Sequence, residues 1–241
     1  MTGRIRILPA LTLALGALAV CTACTAESKP AQDLPAGARI TDTPKAPALT
    51  DTQKAQFIAW YEAQPKVNVP IDTDGAKLLI VEFSDYQCSF CRQAYYEYKP
   101  ILARYMATGQ VKFVLKHFPL ERECNPALQA DVHASACEAA AAVVMAQTKG
   151  TGDKLEAWLF ANQASLTPAT IKTAAAEIGG VKDYDAQYSR AITLVKTDAG
   201  LGGMLGAKST PTIIINGRLI AGLLPAAQFQ AAIDYELKGS K

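Results

Sequence analysis

A seven-residue run, Lys77-Leu-Leu-Ile-Val-Glu-Phe83, is followed by Ser-Asp-Tyr-Gln and then by Cys88-Ser-Phe-Cys91 at the head of a helical stretch. A continuous apolar run of this length predicts a strand at the centre of a sheet, covered on both faces. Helical character then extends from Cys88 to about Ala107, with a kink expected at Pro100, and Val111 to Phe118 alternates as a second strand. Strand, crossover helix and strand commit the chain to an α/β sheet.

The other elements are placed around that unit. Asp51 to Gln64 reads as an amphipathic helix ending before Pro65, followed by an extended piece, Val67 to Ile71, and a turn at Asp72-Thr-Asp-Gly75. From about 125 to 203 the composition is Ala-rich, with breaks at Gly150-Thr-Gly152, Ser165 to Pro168 and Gly179-Gly180. This predicts three or four helices and no strand. Strand character returns in Pro211 to Ala221, where Asn216-Gly217 between two apolar runs signals a type I′ hairpin. A last helix is expected from Pro225 to about Leu237.

The N-terminus has a basic start (Met1 to Arg6), an apolar stretch (Ile7 to Val20) and small residues after it. This is the layout of an export signal, too short for a membrane span. It is expected to occupy residues 1–23. Cys24, preceded by Ala23, fits the lipid-anchor position of a bacterial lipoprotein signal. Cys21 is the second candidate, and plain secretion with cleavage after Ala23 or Ala26 is the alternative. Residues 24–50 are rich in Pro, Ala, Asp, Thr and Lys and read as a flexible tether, leaving 51–241 as the folded domain. Export places the chain in an oxidising compartment, at the periplasm or the cell surface. Half the residues are apolar, so a core is available. Of 24 basic and 22 acidic residues, Arg4 and Arg6 leave with the signal, and the remaining charges cancel. That balance gives no electrostatic case for nucleic acid.

Cys88 and Cys91 have three candidate roles. Structural zinc usually takes four ligands, often as paired Cys-x-x-Cys, and Cys124, His133 and Cys137 supply no second pair. A purely structural disulfide across two residues removes little chain entropy. A cysteine at a helix N-terminus faces free N–H groups and the positive end of the helix dipole, which favour thiolate. Cys91, one turn on, can close a short disulfide with it. Thiol–disulfide exchange is therefore the expected chemistry, with no cofactor and no metal. Glu82, inside the apolar run, is expected to be buried with a raised pKa; the alternative is a residue pointing to solvent. Cys124 and Cys137 read as a structural disulfide worth about 3 kcal/mol. A second exchange pair, or a metal site with His133, is the alternative; otherwise His133 reads as a polar helix residue. Tyr86, Phe90 and Tyr95 border an apolar groove or belong to the core.

Glu82-Phe-Ser-Asp-Tyr-Gln-Cys-Ser-Phe-Cys91, Ser209-Thr-Pro-Thr212 before Ile-Ile-Ile-Asn-Gly, and the helical block between them resemble the DsbA family of thioredoxin-fold oxidoreductases. The resemblance covers roughly Val67 to Leu237. It implies a thioredoxin fold with the helical insertion between the second core strand and a cis-proline hairpin. It also implies Cys88 as exposed nucleophile, Cys91 as buried partner, Pro211 as the cis-proline, Thr210 as a backbone contact to substrate, and Glu82 as the acid that moves protons. Substrates would be reduced or unfolded exported proteins, and the membrane partner would be of DsbB or vitamin K epoxide reductase type. Ser89-Phe90 departs from the Pro-His of the strongest oxidants. Disulfide donation is the leading expectation, by a chain taken as a monomer. The alternatives are a reductase or isomerase using the same site, and a tethered holdase.

Overall fold

In the computed structural model, residues 48–239 are described. The export signal, Cys21, Cys24 and most of the tether lie outside these residues. The apolar run forms β1 (Leu78–Ser84), followed by α2 (Ser89–Met106), which continues through Pro100, and by β2 (Val111–His117). A first helix, α1 (Asp51–Glu62), precedes them, opened by a Thr50–Gln53 capping box. Only Phe57 and Tyr61, one turn apart, are buried along α1. The hairpin is β3 (Thr212–Ile215) and β4 (Arg218–Ala221), and α7 (Ala226–Gly239) closes the order. Asn216 and Gly217 both have positive φ, 49° and 81°, the requirement of a type I′ turn.

The sheet order is β2-β1-β3-β4, with β1 parallel to β2 and antiparallel to β3. β1 is therefore covered on both faces, and its side chains divide between them with period two. Leu78 and Ile80 join Ala94, Tyr98, Ile101 and Leu102 of α2 and Phe229 and Ile233 of α7. Val81 and Phe83 join Phe118, Ile214 and Ala199. Glu82 and Ser84 continue the first set, so the strand's polar end points toward α2.

Four helices fill the space between β2 and β3: α3 (Ala136–Gln147), α4 (Gly152–Ala161), α5 (Pro168–Glu177) and α6 (Tyr184–Leu205), with a 3-10 turn at Gln163–Ser165. Ten of the twelve residues of α3 are buried, and α4, α5 and α6 pack around it. A helix apolar on all sides belongs inside a bundle. α6 also crosses the sheet. A Cβ at Gly202 would sit 2.6 Å from Phe118 Cδ2 and 2.9 Å from Phe83 Cδ1, so the missing side chain lets this helix lie on the edge-on Phe83–Phe118 pair.

One boundary is corrected. The insertion has no helix before Ala136. There Asn125 donates to the Pro119 carbonyl and accepts from Ala127 N–H, while Asp131 accepts from Arg122 N–H. Side chains that bond to nearby backbone compete with helix formation. Val67 to Ile71, expected as an extended piece, runs outside the named strands, and the neighbouring Lys66 makes a single bridge to Arg218.

Candidate active site

Cys88 is the N-cap residue of α2, in extended backbone conformation. Its N–H donates to the Asp85 carbonyl at 3.1 Å, closing a turn between β1 and the helix. Both cysteines are free thiols and both are buried, so Cys88, expected to be exposed, is covered down to 7% while Cys91 is fully buried. The Cys88 pKa is pushed below that of an ordinary thiol. The largest cause is the hydrogen bond from the Cys91 thiol, opposed by burial and helped by the Thr210 hydroxyl and the backbone N–H groups of Cys91 and Phe90. The last two are free donors of the first helical turn. Cys91 moves the other way: burial, then its hydrogen bond to Cys88 and the charge there, push its thiol up. The two sulfurs are thus divided into a stabilised thiolate and a held proton.

Across from Cys88 stands the Thr210–Pro211 peptide, which is cis. In its protonated form the Cys88 thiol donates to the Thr210 carbonyl at 3.3 Å. Thr210 Oγ1 is buried without a hydrogen-bond partner beside the thiol, which leaves it available to a thiolate. Pro211 immediately precedes β3, so the sheet itself fixes this wall of the site. Phe90, between the cysteines, is 58% exposed, whereas Tyr86 is core.

Glu82 is 4% exposed. Burial pushes its carboxyl up to about 8; the Ser84 hydroxyl opposes the shift, and the charges of Glu156 and Cys88 add to it. A group that stays protonated near neutrality beside a buried thiol can give or take that thiol's proton.

The insertion grips the loop that carries these residues. Asp85 N–H donates to Cys91 Sγ at 3.4 Å, and the Asp85 carboxylate accepts from Gln87 N–H, Leu120 N–H and His133 Nδ1 at 2.6, 2.6 and 2.8 Å. Gln87 Oε1 accepts from Ser135 N–H. From the opposite side the Gln163 amide donates to the Tyr86 and Cys88 carbonyls at 2.8 and 2.9 Å. Cys124 and Cys137 are joined in a disulfide, Cα to Cα 5.8 Å, and His133 lies between them in the chain. His133 is not a helix residue. Its pKa is raised first by the hydrogen bond to Asp85, against burial, and Cys88 is among the charges that add to the rise. Coulomb coupling is mutual, so a charged His133 favours the Cys88 thiolate. Among the described residues no group of three or more His, Cys, Asp or Glu is arranged to hold a metal ion.

Sequence reading brought forward Cys88, Cys91, Glu82, Thr210 and Pro211, and the fold gathers all five. Asp85 and Gln163 were missed, and His133 was weighed only as a metal ligand or a polar helix residue. They are polar residues spread over almost eighty positions, with no spacing pattern to link them.

The thioredoxin family model matches residues 72–235, more than half of the chain. Among solved structures, a thioredoxin-like oxidoreductase from Silicibacter pomeroyi is 21% identical with a TM-score of 0.51, covering 73% of this chain and 92% of that one. Alpha-DsbA1 of Wolbachia pipientis is 18% identical with a TM-score of 0.58, covering 72% and 94%. A curated relative, the Na(+)/H(+) antiporter NhaA 1 of Mycobacterium sp. strain KMS, is 28% identical over 164 residues, 66% of this chain and 25% of the antiporter. The chain thus spans about a quarter of the length of that relative. The family match runs from the turn before β1 into α7, across the whole sheet and both cysteines, and the chain belongs to the thioredoxin family.

Proposed function

We propose that this chain is a protein thiol–disulfide oxidoreductase that donates disulfides to exported proteins through Cys88 and Cys91. One juxtaposition carries the reading: the Cys88 sulfur, at a helix N-terminus, lies 3.3 Å from the Thr210 carbonyl beside the cis peptide, with Cys91 buried behind it. In the oxidised enzyme a substrate thiolate attacks Cys88 Sγ. The Cys88–Cys91 bond breaks, a mixed disulfide forms, and Cys91 leaves as a thiolate that takes the proton held by Glu82. A second substrate thiolate then attacks its own sulfur in the mixed disulfide. Cys88 leaves as a thiolate, and the substrate disulfide is complete.

The lowered Cys88 pKa supports the donating direction. A stabilised thiolate favours the reduced enzyme, and so a strong oxidant. The Ser89-Phe90 dipeptide carries no charge for this purpose, and His133 supplies one from the insertion. Under this reading the carboxylate is Glu82, the substrate-facing backbone is that of Thr210 and Pro211, and Cys124–Cys137 is structural. Residues 1–23 are the export signal, 24–50 a tether bearing a lipid at Cys24, and 51–241 the catalytic domain. The protein works as a monomer at the periplasmic or cell-surface side of a membrane. It is reoxidised there by a partner of DsbB or vitamin K epoxide reductase type.

The test is the reduction potential of the Cys88–Cys91 pair together with capture of mixed disulfides in Cys91→Ala. A potential near about −120 mV with trapped exported proteins is expected; one near about −270 mV reverses the flow to a reductase. Unchanged function in Cys88→Ser would leave only a holdase.

A further inference from the structure

In the exchange reaction just described, on which this inference rests, Cys88 Sγ must face the free N–H groups that open α2. One main-chain angle decides whether it does. Cys88 is the N-cap residue, with φ −78° and ψ 120°. Rotation about ψ swings its carbonyl oxygen and the first helical turn together, relative to the sulfur. Whatever holds that oxygen therefore aims the N–H groups.

Two donors hold it. Arg92 N–H donates to the Cys88 carbonyl at 3.1 Å, the first bond of the helix. The Gln163 side-chain amide donates to the same oxygen at 2.9 Å and to the Tyr86 carbonyl at 2.8 Å. A carbonyl oxygen has room for two donors, and the helix bond alone already satisfies this one. The second bond therefore adds direction. Both hydrogens of one planar amide are committed to carbonyls on either side of Gln87. The bonds of Asp85 and Gln87 hold the other side of the loop and do not reach the Cys88 carbonyl.

Gln163 also has a firm mount. It opens the 3-10 turn between α4 and α5, where Ser165 N–H donates to the Asn162 carbonyl at 2.9 Å and the Thr170 hydroxyl donates to the Ser165 carbonyl at 3.0 Å. The same end of α4 meets the site twice more. Arg92 Nε donates to the Phe160 carbonyl at 2.9 Å, and the Phe160 ring lies 5.1 Å from that of Tyr86.

We propose that Gln163 is a positioning residue for the exchange: its amide fixes the Cys88 main chain so that the N–H groups of Phe90 and Cys91 face the sulfur. The Cys88 pKa is held at about 6, first by the Cys91 thiol, against burial, and then by Thr210 and these two N–H groups. Gln163 acts through the main chain and supplies no charge of its own. Its loss lets ψ relax, weakens the thiolate and makes the enzyme a poorer oxidant.

The test is a titration of the Cys88 thiolate by its ultraviolet absorbance, with equilibration against glutathione at pH 7, on Gln163→Met. Methionine keeps the length and bulk of glutamine and has no donor. The titration is expected to move up by about half a unit to one unit, and the glutathione equilibrium to shift by about three- to fivefold toward the disulfide form of the enzyme. A side chain that only packs would change the unfolding midpoint and leave both readouts alone, so a folded Gln163→Met with wild-type titration and equilibrium overturns the proposal. If Gln163→Met fails to fold, the nitrogen-15-labelled wild type decides. There the Gln163 side-chain amide protons are expected to exchange with water roughly tenfold more slowly than those of the exposed Gln129, and their resonances to move with the Cys88 titration. Exchange as fast as at Gln129, or resonances that ignore the titration, overturns the lock. A wild-type protein that reaches no equilibrium with glutathione overturns the exchange reading itself.

Discussion

Glu82 is a stability cost that the site retains. The folded chain holds its carboxyl near 8, so folding favours the protonated form. Its contribution is fully present below the ordinary carboxyl value and is lost as pH rises toward 8. Glu82→Gln is therefore expected to stabilise the protein by about 3 kcal/mol at pH 7. Urea unfolding should show the gain growing between pH 5 and pH 8; a gain that is flat or shrinks with pH would refute the assignment. His117 works in the opposite sense. Burial lowers its pKa to about 4, so its contribution is present above the ordinary histidine value and is lost as pH falls. His133→Gln carries a separate prediction, a rise of about half a unit to one unit in the Cys88 pKa, read from thiolate absorbance against pH. An unchanged titration would show that the Asp85 carboxylate cancels the imidazolium charge. Glu82 and both cysteines were legible because a single strand–loop–helix holds all three within ten residues. His133 was visible only as a residue type, since its meaning depends on Asp85, far away in sequence.

At the scale of elements, sequence pattern worked where local chemistry decides the backbone. Asn216-Gly217 forced the hairpin, and the continuous apolar run became the central strand. It worked less well between Phe118 and Ala136, where Asn125 and Asp131 bind nearby backbone and delay the first inserted helix. Nor did composition reveal how α6 meets the sheet. That contact depends on Gly202, whose missing Cβ admits the Phe83 and Phe118 rings. Gly202→Ala is expected to cost about 1–3 kcal/mol through overpacking, lowering the denaturant midpoint. Because Phe83 lies in β1 just before the active-site loop, the same variant should also alter the exchange rate. A variant as stable as the wild type would mean that the two rings yield freely.

Taken whole, the molecule joins a sheet that positions sulfur chemistry to a helical bundle that holds the loop in place. Linkage makes redox state and stability interdependent: whatever stabilises the Cys88 thiolate does so only in the reduced protein. The reduced form is therefore expected to melt at a higher temperature than the Cys88–Cys91 disulfide form, as scanning calorimetry of the two would report. The reverse order would speak for a reductase.

The His133–Asp85 contact also bears on how such chains are sorted by motif. The residues between the two cysteines are the customary label for a protein of this kind, and here they are serine and phenylalanine, which carry no charge. A histidine, His133, reaches the base of the loop from the segment before α3 and bonds to Asp85. If His133→Gln shifts the Cys88 titration, a motif of two cysteines and the residues between them is too short a label, because part of what tunes the sulfur then lies more than forty residues away in sequence.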